Sequence, residues 1–190
     1  MQAEIEAVFL DINKDELRKR LEEFGAELVQ PERLMRRTAF DLGRHEFARV
    51  RNEGDKVTMT YKCFTDNTIT GAKEINLVVD DYEKAVLFLK SCGIKAKSFQ
   101  ENMRETWSLD GVEVDIDTWP WLPTYVEVEG PTVEATTKIS EKLGFNIDDA
   151  IFGSVDDIYA KYYDVTSEEV LKWPEITFVD IPEWLAKLKK

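Results

Sequence analysis

The sequence predicts an α+β domain in which β-strands carry charged side chains on one face and helices lie between the strands. Two Glu-x-Glu segments, Glu4 with Glu6 and Glu127 with Glu129, alternate charged and apolar residues as strands do. The stretch 47–62 is typical of two strands joined by a turn, and helix-capping signals occur before and after it. These features together favour a sheet with helices packed against it.

Each Glu-x-Glu pair places two carboxylates on one face of its strand, with apolar residues on the other. Two such pairs facing each other would suit Mg²⁺ or Mn²⁺, because hard divalent cations prefer carboxylate oxygens. A solvated strand face is the alternative for either pair alone, since Glu-x-Glu recurs by chance in a chain that is 33% charged.

Basic side chains alternate along neighbouring predicted strands. Arg49 and Arg51 share one face of the strand before the turn 52–55. Lys62 ends the strand after that turn, and Arg104 lies on a later strand. A cation that faces inward needs an anion, because an unpaired buried charge is costly, and phosphate matches the guanidinium fork. Alternatively, these basic side chains lie on a solvent-exposed outer face, since edge strands often carry Lys and Arg.

Helix signals occur in four segments, each opened by a capping residue or proline and most of them closed by glycine. The predicted helical segments are 13–25, 80–93, 131–143 and 148–163, the last as one or two helices. Their apolar stripes predict packing against the sheet rather than a cofactor site.

Composition limits the class of protein. The chain has 190 residues, of which 43% are hydrophobic, so it can bury a core without disulfides. A formal charge of −13 argues against general binding to nucleic acid or to a membrane surface. Two cysteines, Cys63 and Cys92, with no signal peptide and no long apolar run, predict a cytoplasmic setting.

As an ordered set, the motifs resemble the CYTH domain, or triphosphate tunnel metalloenzyme, superfamily, and within it the class IV adenylate cyclase branch. The resemblance covers residues 2–164. It rests on Glu4-x-Glu6, Phe40-Asp41, Arg49-x-Arg51, Thr60-Tyr61-Lys62, Arg104 before Trp107, Asp117 to Pro123, Glu127 to Gly130, Leu143-Gly144-Phe145 and Ile151 to Val155.

The resemblance implies a closed antiparallel β-barrel of about eight strands, braced by outer helices, whose lumen binds a triphosphate. The implied ligands of Mg²⁺ or Mn²⁺ are Glu4, Glu6, Asp117, Glu127 and Glu129. The implied phosphate ligands are Arg36, Arg49, Arg51, Lys62, Lys73 and Arg104, of which Lys62 and Arg51 are the catalytic candidates.

The resemblance also implies an activity, conversion of ATP to cyclic AMP and pyrophosphate. Hydrolysis of an inorganic or organic triphosphate, such as tripolyphosphate or thiamine triphosphate, is the alternative, since no adenine-reading motif is visible. A third reading is a polyphosphate- or nucleotide-binding module with weak catalysis, because Val8 stands where the family motif Glu-x-Glu-x-Lys has lysine. Arg37 is one cation that could fill that gap. A homodimer is expected from the family.

The chain is predicted to divide into a tunnel domain, 1–164, and a C-terminal extension, 165–190. Apolar residues of the extension, among them Trp173 and Trp184, predict that it packs on the barrel or on a partner.

Overall fold

The computed structural model describes residues 1–43 and 45–190, apart from the side chain of Gln2. Ten strands occur in this part of the chain: β1 Gln2–Glu4, β2 Glu6–Phe9, β3 Glu27–Asp41, β4 Glu46–Asn52, β5 Val57–Phe64, β6 Ala72–Val79, β7 Lys95–Leu109, β8 Val112–Thr118, β9 Tyr125–Glu129 and β10 Glu175–Ile176.

The strands form one large sheet in the order β1-β6-β5-β4-β3-β7-β8-β9-β2, in which all neighbours are antiparallel. The short strand β10 lies outside this path and pairs in parallel with β7. The first and last strands of the order, β1 and β2, are separated in the chain by Ile5 alone. The α+β class is therefore confirmed, and closure into a barrel stays a prediction.

The helices are α1 Lys14–Glu23, α2 Tyr82–Ser91, α3 Val133–Lys142, α4 Val155–Tyr162, α5 Ser167–Val170 and α6 Glu183–Ala186, with a 3₁₀ turn at Ile147–Asp149. The side chains of Asn13, Asp81 and Thr132 accept backbone N–H bonds at the starts of α1, α2 and α3, as capping predicts. The predicted helical segment 148–163 divides into the 3₁₀ turn and α4. Between them, Ile151 forms a two-way backbone bridge with Val8.

Helices α1, α2 and α3 cover the outer face of the sheet, whereas α4 packs against Val8 and Tyr125 at one end of the inner face. Leu17 of α1 and Ile139 of α3 belong to one buried cluster with Val114 and Val128 of β8 and β9. Helix α2 packs in the same way against β3 and β4. Because side chains alternate along a strand, burying Val128 outward directs Glu129 inward. Packing of the outer helices therefore sets which charged residues share the inner face.

The C-terminal residues also contact the sheet. Strand β10 pairs with Phe99 and Gln100 of β7, beyond the point where β8 stops pairing at Met103. Val170 and Leu185 are buried in a cluster that includes residues of the main sheet. The boundary at 164 stays a prediction. Among the described residues, every helix is too short or too polar to cross a membrane.

Candidate functional site

A cavity of about 400 Å³ lies on the inner face of the sheet. Every strand from β1 to β9 contributes to its wall, and residues 153–156 at the start of α4 line one end. Nine carboxylate and seven basic side chains line it, so the wall has a formal excess of two negative charges. A divalent cation would balance that excess.

Glu4, Glu6 and Glu129 form a cluster in this wall, called here the acid triad. The β2–β9 register places Glu6 directly opposite Glu129, and carboxylate oxygens of the three residues lie within 4.8 Å of one another. Burial and the neighbouring carboxylates raise the pKa of Glu6 to about 7 and that of Glu129 to about 8. Three crowded, desolvated oxygen donors fit Mg²⁺ or Mn²⁺, because a bound cation would remove their repulsion.

Lys62 of β5, two strands away from β1 in the sheet, contacts the triad. Its Nζ lies 3.1 Å from Glu6 Oε1 and forms a second ion pair with Glu4. Although burial opposes it, these two carboxylates raise the pKa of Lys62 to about 12. Lys62 therefore stays charged and neutralises part of the triad.

The raised carboxyl pKa values predict that the metal-free protein loses stability as the pH rises. A carboxyl group whose pKa is higher in the fold than in the unfolded chain opposes folding once it ionises, so its penalty grows from the unfolded value of 4.5 up to about 8 for Glu129. We expect the melting temperature in EDTA to fall by at least about 3 °C between roughly pH 6 and pH 8.5. Mg²⁺ should reduce this fall. A level or rising melting temperature in EDTA would contradict these pKa values.

Arg104 of β7 holds a second group of carboxylates. Its Nη1 lies 2.5 Å from Asp115 Oδ2, its Nη2 lies 2.5 Å from Glu127 Oε2, and its Nε donates to Asp117 Oδ1 at 3.1 Å. Asn102 also donates to Asp117, at 2.8 Å. Asp117 and Glu127, predicted as metal ligands, are thus paired with Arg104, whereas Glu4, Glu6 and Glu129 form the compact cluster.

Two other guanidinium groups in the cavity have no carboxylate partner among the described residues. Arg49 Nε is buried without any acceptor there. Arg37 donates to the Gln100 amide oxygen at 2.7 Å and lies over the Trp119 ring, 4.3 Å from its centroid. Burial and neighbouring arginines lower the pKa of Arg49 to about 9 and that of Arg37 to about 10. Half-buried cations without a carboxylate partner are what an anionic ligand would stabilise.

Arg51 differs because it has an internal partner. Its Nε and Nη2 donate to Glu53 Oε1 at 3.0 and 2.8 Å, and Thr58 donates to the same oxygen at 2.7 Å. Although burial alone would raise it, these contacts lower the pKa of Glu53 to about 2. Sequence reasoning assigned Glu53 only to a turn and missed its place in the wall. Asp115 was missed too, although it lies two residues before Asp117 on β8 and therefore shares a face of the strand with it.

Two predicted phosphate ligands lie outside the cavity wall. The side chain of Arg36 is 58% exposed and its Nε donates to Glu101 at 3.1 Å, whereas its neighbour Arg37 faces inward. Lys73 pairs in register with Cys63, so it faces away from the cavity, while Glu74 opposite Lys62 faces in. Alternation along each strand allows only one residue of each neighbouring pair to face inward.

Val8 is 2% exposed and packs in an apolar cluster with Trp119, Tyr125 and Tyr159. Its backbone also bonds to Ile151 in both directions. The position that the motif gives to lysine is therefore filled by apolar contacts at the end of the cavity where Arg37 lies over Trp119.

No protein-family model matches the chain, and no curated protein matches it. Several solved structures do match the chain. A protein of Pyrococcus horikoshii is 24% identical, covers 77% of this chain and 93% of its own, and superposes with a TM-score of 0.67. A protein of Vibrio parahaemolyticus described as a "putative adenylate cyclase" is 12% identical, with coverages of 84% and 98% and a TM-score of 0.71. A Hippeastrum protein, described likewise but with a dominant triphosphatase activity, is 10% identical, with coverages of 81% and 91% and a TM-score of 0.52.

Proposed function

We propose, from the CYTH-type fold that this chain shares with these structures, that its cavity binds a triphosphate together with a divalent metal and acts on it as an enzyme. The observation that carries the proposal is the separation of charge within one cavity. A compact acid triad lies in the same wall as two guanidinium groups, Arg37 and Arg49, that have no carboxylate partner in the described part of the chain. A metal–triphosphate complex has both of the charges that this wall would neutralise.

The sheet is proposed to close into a tunnel. Because β1 and β2 are nearly continuous and pair with β6 and β9, one interrupted strand would join both ends of the sheet. Counting them as one strand, and leaving β10 aside, gives the eight strands that the fold implies. On this view 1–164 forms the tunnel domain and 165–190 packs against it.

Within the site, Glu4, Glu6 and Glu129 would hold Mg²⁺ or Mn²⁺. Glu127 and Asp117 are further candidate ligands, which would become free if Arg104 bound phosphate instead of these two carboxylates. The metal would supply charge neutralisation at the phosphate oxygens. Arg49 and Arg51 would bind phosphate oxygens from β4, and Lys62 would contact both triad and phosphate. Arg37 takes the role first given to Arg36.

The first candidate reaction is cyclisation of ATP. The ribose 3′-hydroxyl oxygen would bond to the α-phosphorus, pyrophosphate would leave, and the hydroxyl proton would pass to solvent or a wall carboxylate. Hydrolysis by water is the second candidate, favoured by the Hippeastrum structure, whose described activity is mainly triphosphatase. Arg37 and Arg49 would serve either reaction, because both depend on positioning and charge at phosphorus.

A metal-dependent assay separates the candidates. The intact chain is incubated with Mg²⁺ or Mn²⁺ and ATP, thiamine triphosphate or tripolyphosphate, and cyclic AMP with pyrophosphate is resolved from ADP with phosphate. Cyclic AMP would support the cyclase, and phosphate release would support the hydrolase. Tight metal-dependent binding without product would support the binding module that Val8 suggests. Absence of both binding and product would overturn the proposal.

Replacing Lys62 by glutamine should change two affinities in opposite directions. The triad would lose its internal cation, so Mg²⁺ should bind several-fold more tightly in the absence of triphosphate. Triphosphate affinity should fall by about tenfold, because a desolvated charged contact is lost. Lys73→Gln on the adjacent strand is the matched control, since Lys73 faces away from the cavity, and it should change neither affinity. A fall in both affinities for Lys62→Gln would contradict this arrangement.

A further inference from the structure

Glu53 is a buried carboxylate in a turn, where a charged side chain is usually exposed. It lies in the connection between β4 and β5, which is closed by a backbone bond from Glu53 N to Lys56 O at 2.9 Å. The residue is nevertheless 4% exposed, and its side chain lines the cavity. Taking an ionised carboxylate out of water is costly, and replacing a buried ion pair by apolar residues is often neutral or stabilising. Stability alone therefore gives little reason for an ionised side chain at this place.

One oxygen of Glu53 holds one edge of the Arg51 guanidinium. Arg51 Nε and Nη2 donate to Glu53 Oε1 at 3.0 and 2.8 Å, and Thr58 Oγ1 donates to the same oxygen at 2.7 Å. The β4–β5 register places Thr58 directly opposite Arg51, so both side chains share the inner face. Arg51 Nη1, on the other edge of the group, donates to no residue in the described part of the chain. Because the guanidinium is planar and its donors form a rigid fork, holding one edge fixes the direction of the other.

Arg51 also lies beside two other guanidinium groups. The β3–β4 register places Arg37 directly opposite Arg51, and Arg49 lies two residues before Arg51 on the same face of β4. Burial is the main cause of the lowered pKa values of Arg37 and Arg49, and the charge of Arg51 is the next. A carboxylate beside Arg51 offsets part of this repulsion between like charges. Glu53 therefore allows three cations to share one wall, and its bonds to Arg51 leave Arg37 and Arg49 for a ligand.

We propose that Glu53 is a positioning residue of the triphosphate site, which holds one edge of the Arg51 guanidinium so that Nη1 is presented to a phosphate oxygen in the cavity. The inference rests on the proposed function and adds to it a residue that acts through Arg51. Glu53 is not itself a ligand of the triphosphate, because an ionised carboxylate repels phosphate at short range. Cyclisation and hydrolysis both depend on donors that are already oriented towards the phosphates before the reaction begins.

The direction of the change in ATP affinity tests the proposal, with Kd measured by calorimetry on the intact chain in Mg²⁺. Glu53→Gln keeps the size of the side chain and removes one negative charge from the cavity wall. The loss of charge alone would strengthen ATP binding, whereas a less firmly held Arg51 should weaken it by about fivefold. Glu53→Asp keeps the charge but shortens the side chain by one methylene, and it should also weaken ATP binding. Asp55→Asn is the matched control in the same turn, because Asp55 pairs with Arg33 at 2.8 Å outside the cavity wall, and it should change Kd by less than about twofold.

A double-mutant cycle separates positioning from a purely structural role. In an Arg51→Met background, Glu53→Gln should no longer weaken ATP binding, because its effect acts through Arg51 and the two losses do not add. A loss that persists at full size without Arg51 would show that Glu53 acts on the fold rather than on Arg51, and it would overturn the proposal.

Unchanged or tighter ATP binding in Glu53→Gln or in Glu53→Asp would also overturn the proposal, although the triphosphate site would then stand. If wild type binds neither ATP nor tripolyphosphate in Mg²⁺, the proposed function itself fails and this inference fails with it.

Discussion

Replacing Arg49 by methionine should weaken triphosphate binding by about 100-fold and raise the melting temperature of the ligand-free protein by about 2–4 °C. The loss follows because a desolvated guanidinium would contact phosphate directly. The gain follows because Arg49 Nε is buried without an acceptor among the described residues, and neighbouring arginines with burial lower its pKa to about 9. Removing a buried, uncompensated charge stabilises a fold. Affinity is measured by calorimetry in Mg²⁺ and stability by thermal unfolding in EDTA.

Arg36→Met is the matched control, because it removes a guanidinium that faces away from the cavity towards Glu101. It should leave triphosphate affinity within twofold. Arg49→Met that lowers stability and leaves affinity unchanged would show that Arg49 is structural. Similar affinity losses in the two variants would show that overall charge, rather than position, governs binding.

Replacing Glu129 by glutamine should abolish metal-dependent turnover, with a loss of at least about 100-fold in kcat/KM. The substitution keeps the size of the side chain and removes one of three oxygen ligands and its negative charge. Because burial and the neighbouring carboxylates raise the pKa of Glu129 to about 8, the variant should also unfold at a higher temperature in EDTA at alkaline pH. Mn²⁺ affinity without triphosphate is the direct measurement, and it should fall by at least about tenfold.

Two further variants make this test specific. Glu134→Gln, on the exposed first turn of α3, should change neither turnover nor Mn²⁺ affinity. Glu127→Gln should affect Mn²⁺ binding less than Glu129→Gln does, because Glu127 is paired with Arg104 at 2.5 Å. A larger effect of Glu127→Gln would move the metal towards the Arg104 group, and unaltered Mn²⁺ binding in Glu129→Gln would remove Glu129 from the site.

The inner face of the sheet could be predicted where alternation is regular. Arg49 and Arg51 share a face as expected, and so do Glu127 and Glu129, because β4 and β9 are short and unbroken in register. Glu4 and Glu6 also both line the cavity, although Ile5 interrupts the strand between them. Strand β3 could not be predicted in this way. Arg36 and Arg37 are adjacent on it, and local alternation does not say which of two neighbouring arginines faces inward. The pairing with β4 decides this, because it places Arg37 directly opposite Arg51.

Contacts between residues far apart in the chain could not be predicted from the sequence. That Arg104 binds carboxylates from β8 and β9 depends on strand order, which local patterns do not encode. The same holds for the buried indole Nε1 of Trp119, because its lack of an acceptor among the described residues is a property of the packed structure. Glu53 looked like an ordinary turn residue, and only the closing of its hairpin brings it under Arg51.

Titration of ATP into the intact chain, once in Mg²⁺ and once in EDTA, tests the central claim most directly. A cavity that combines the acid triad with the guanidinium groups of Arg37 and Arg49 should bind ATP saturably at one molecule per chain in Mg²⁺, and at least about tenfold more weakly in EDTA. Equal affinity in the two buffers, or no saturable binding in Mg²⁺, would contradict the assignment of this cavity to a metal–triphosphate complex.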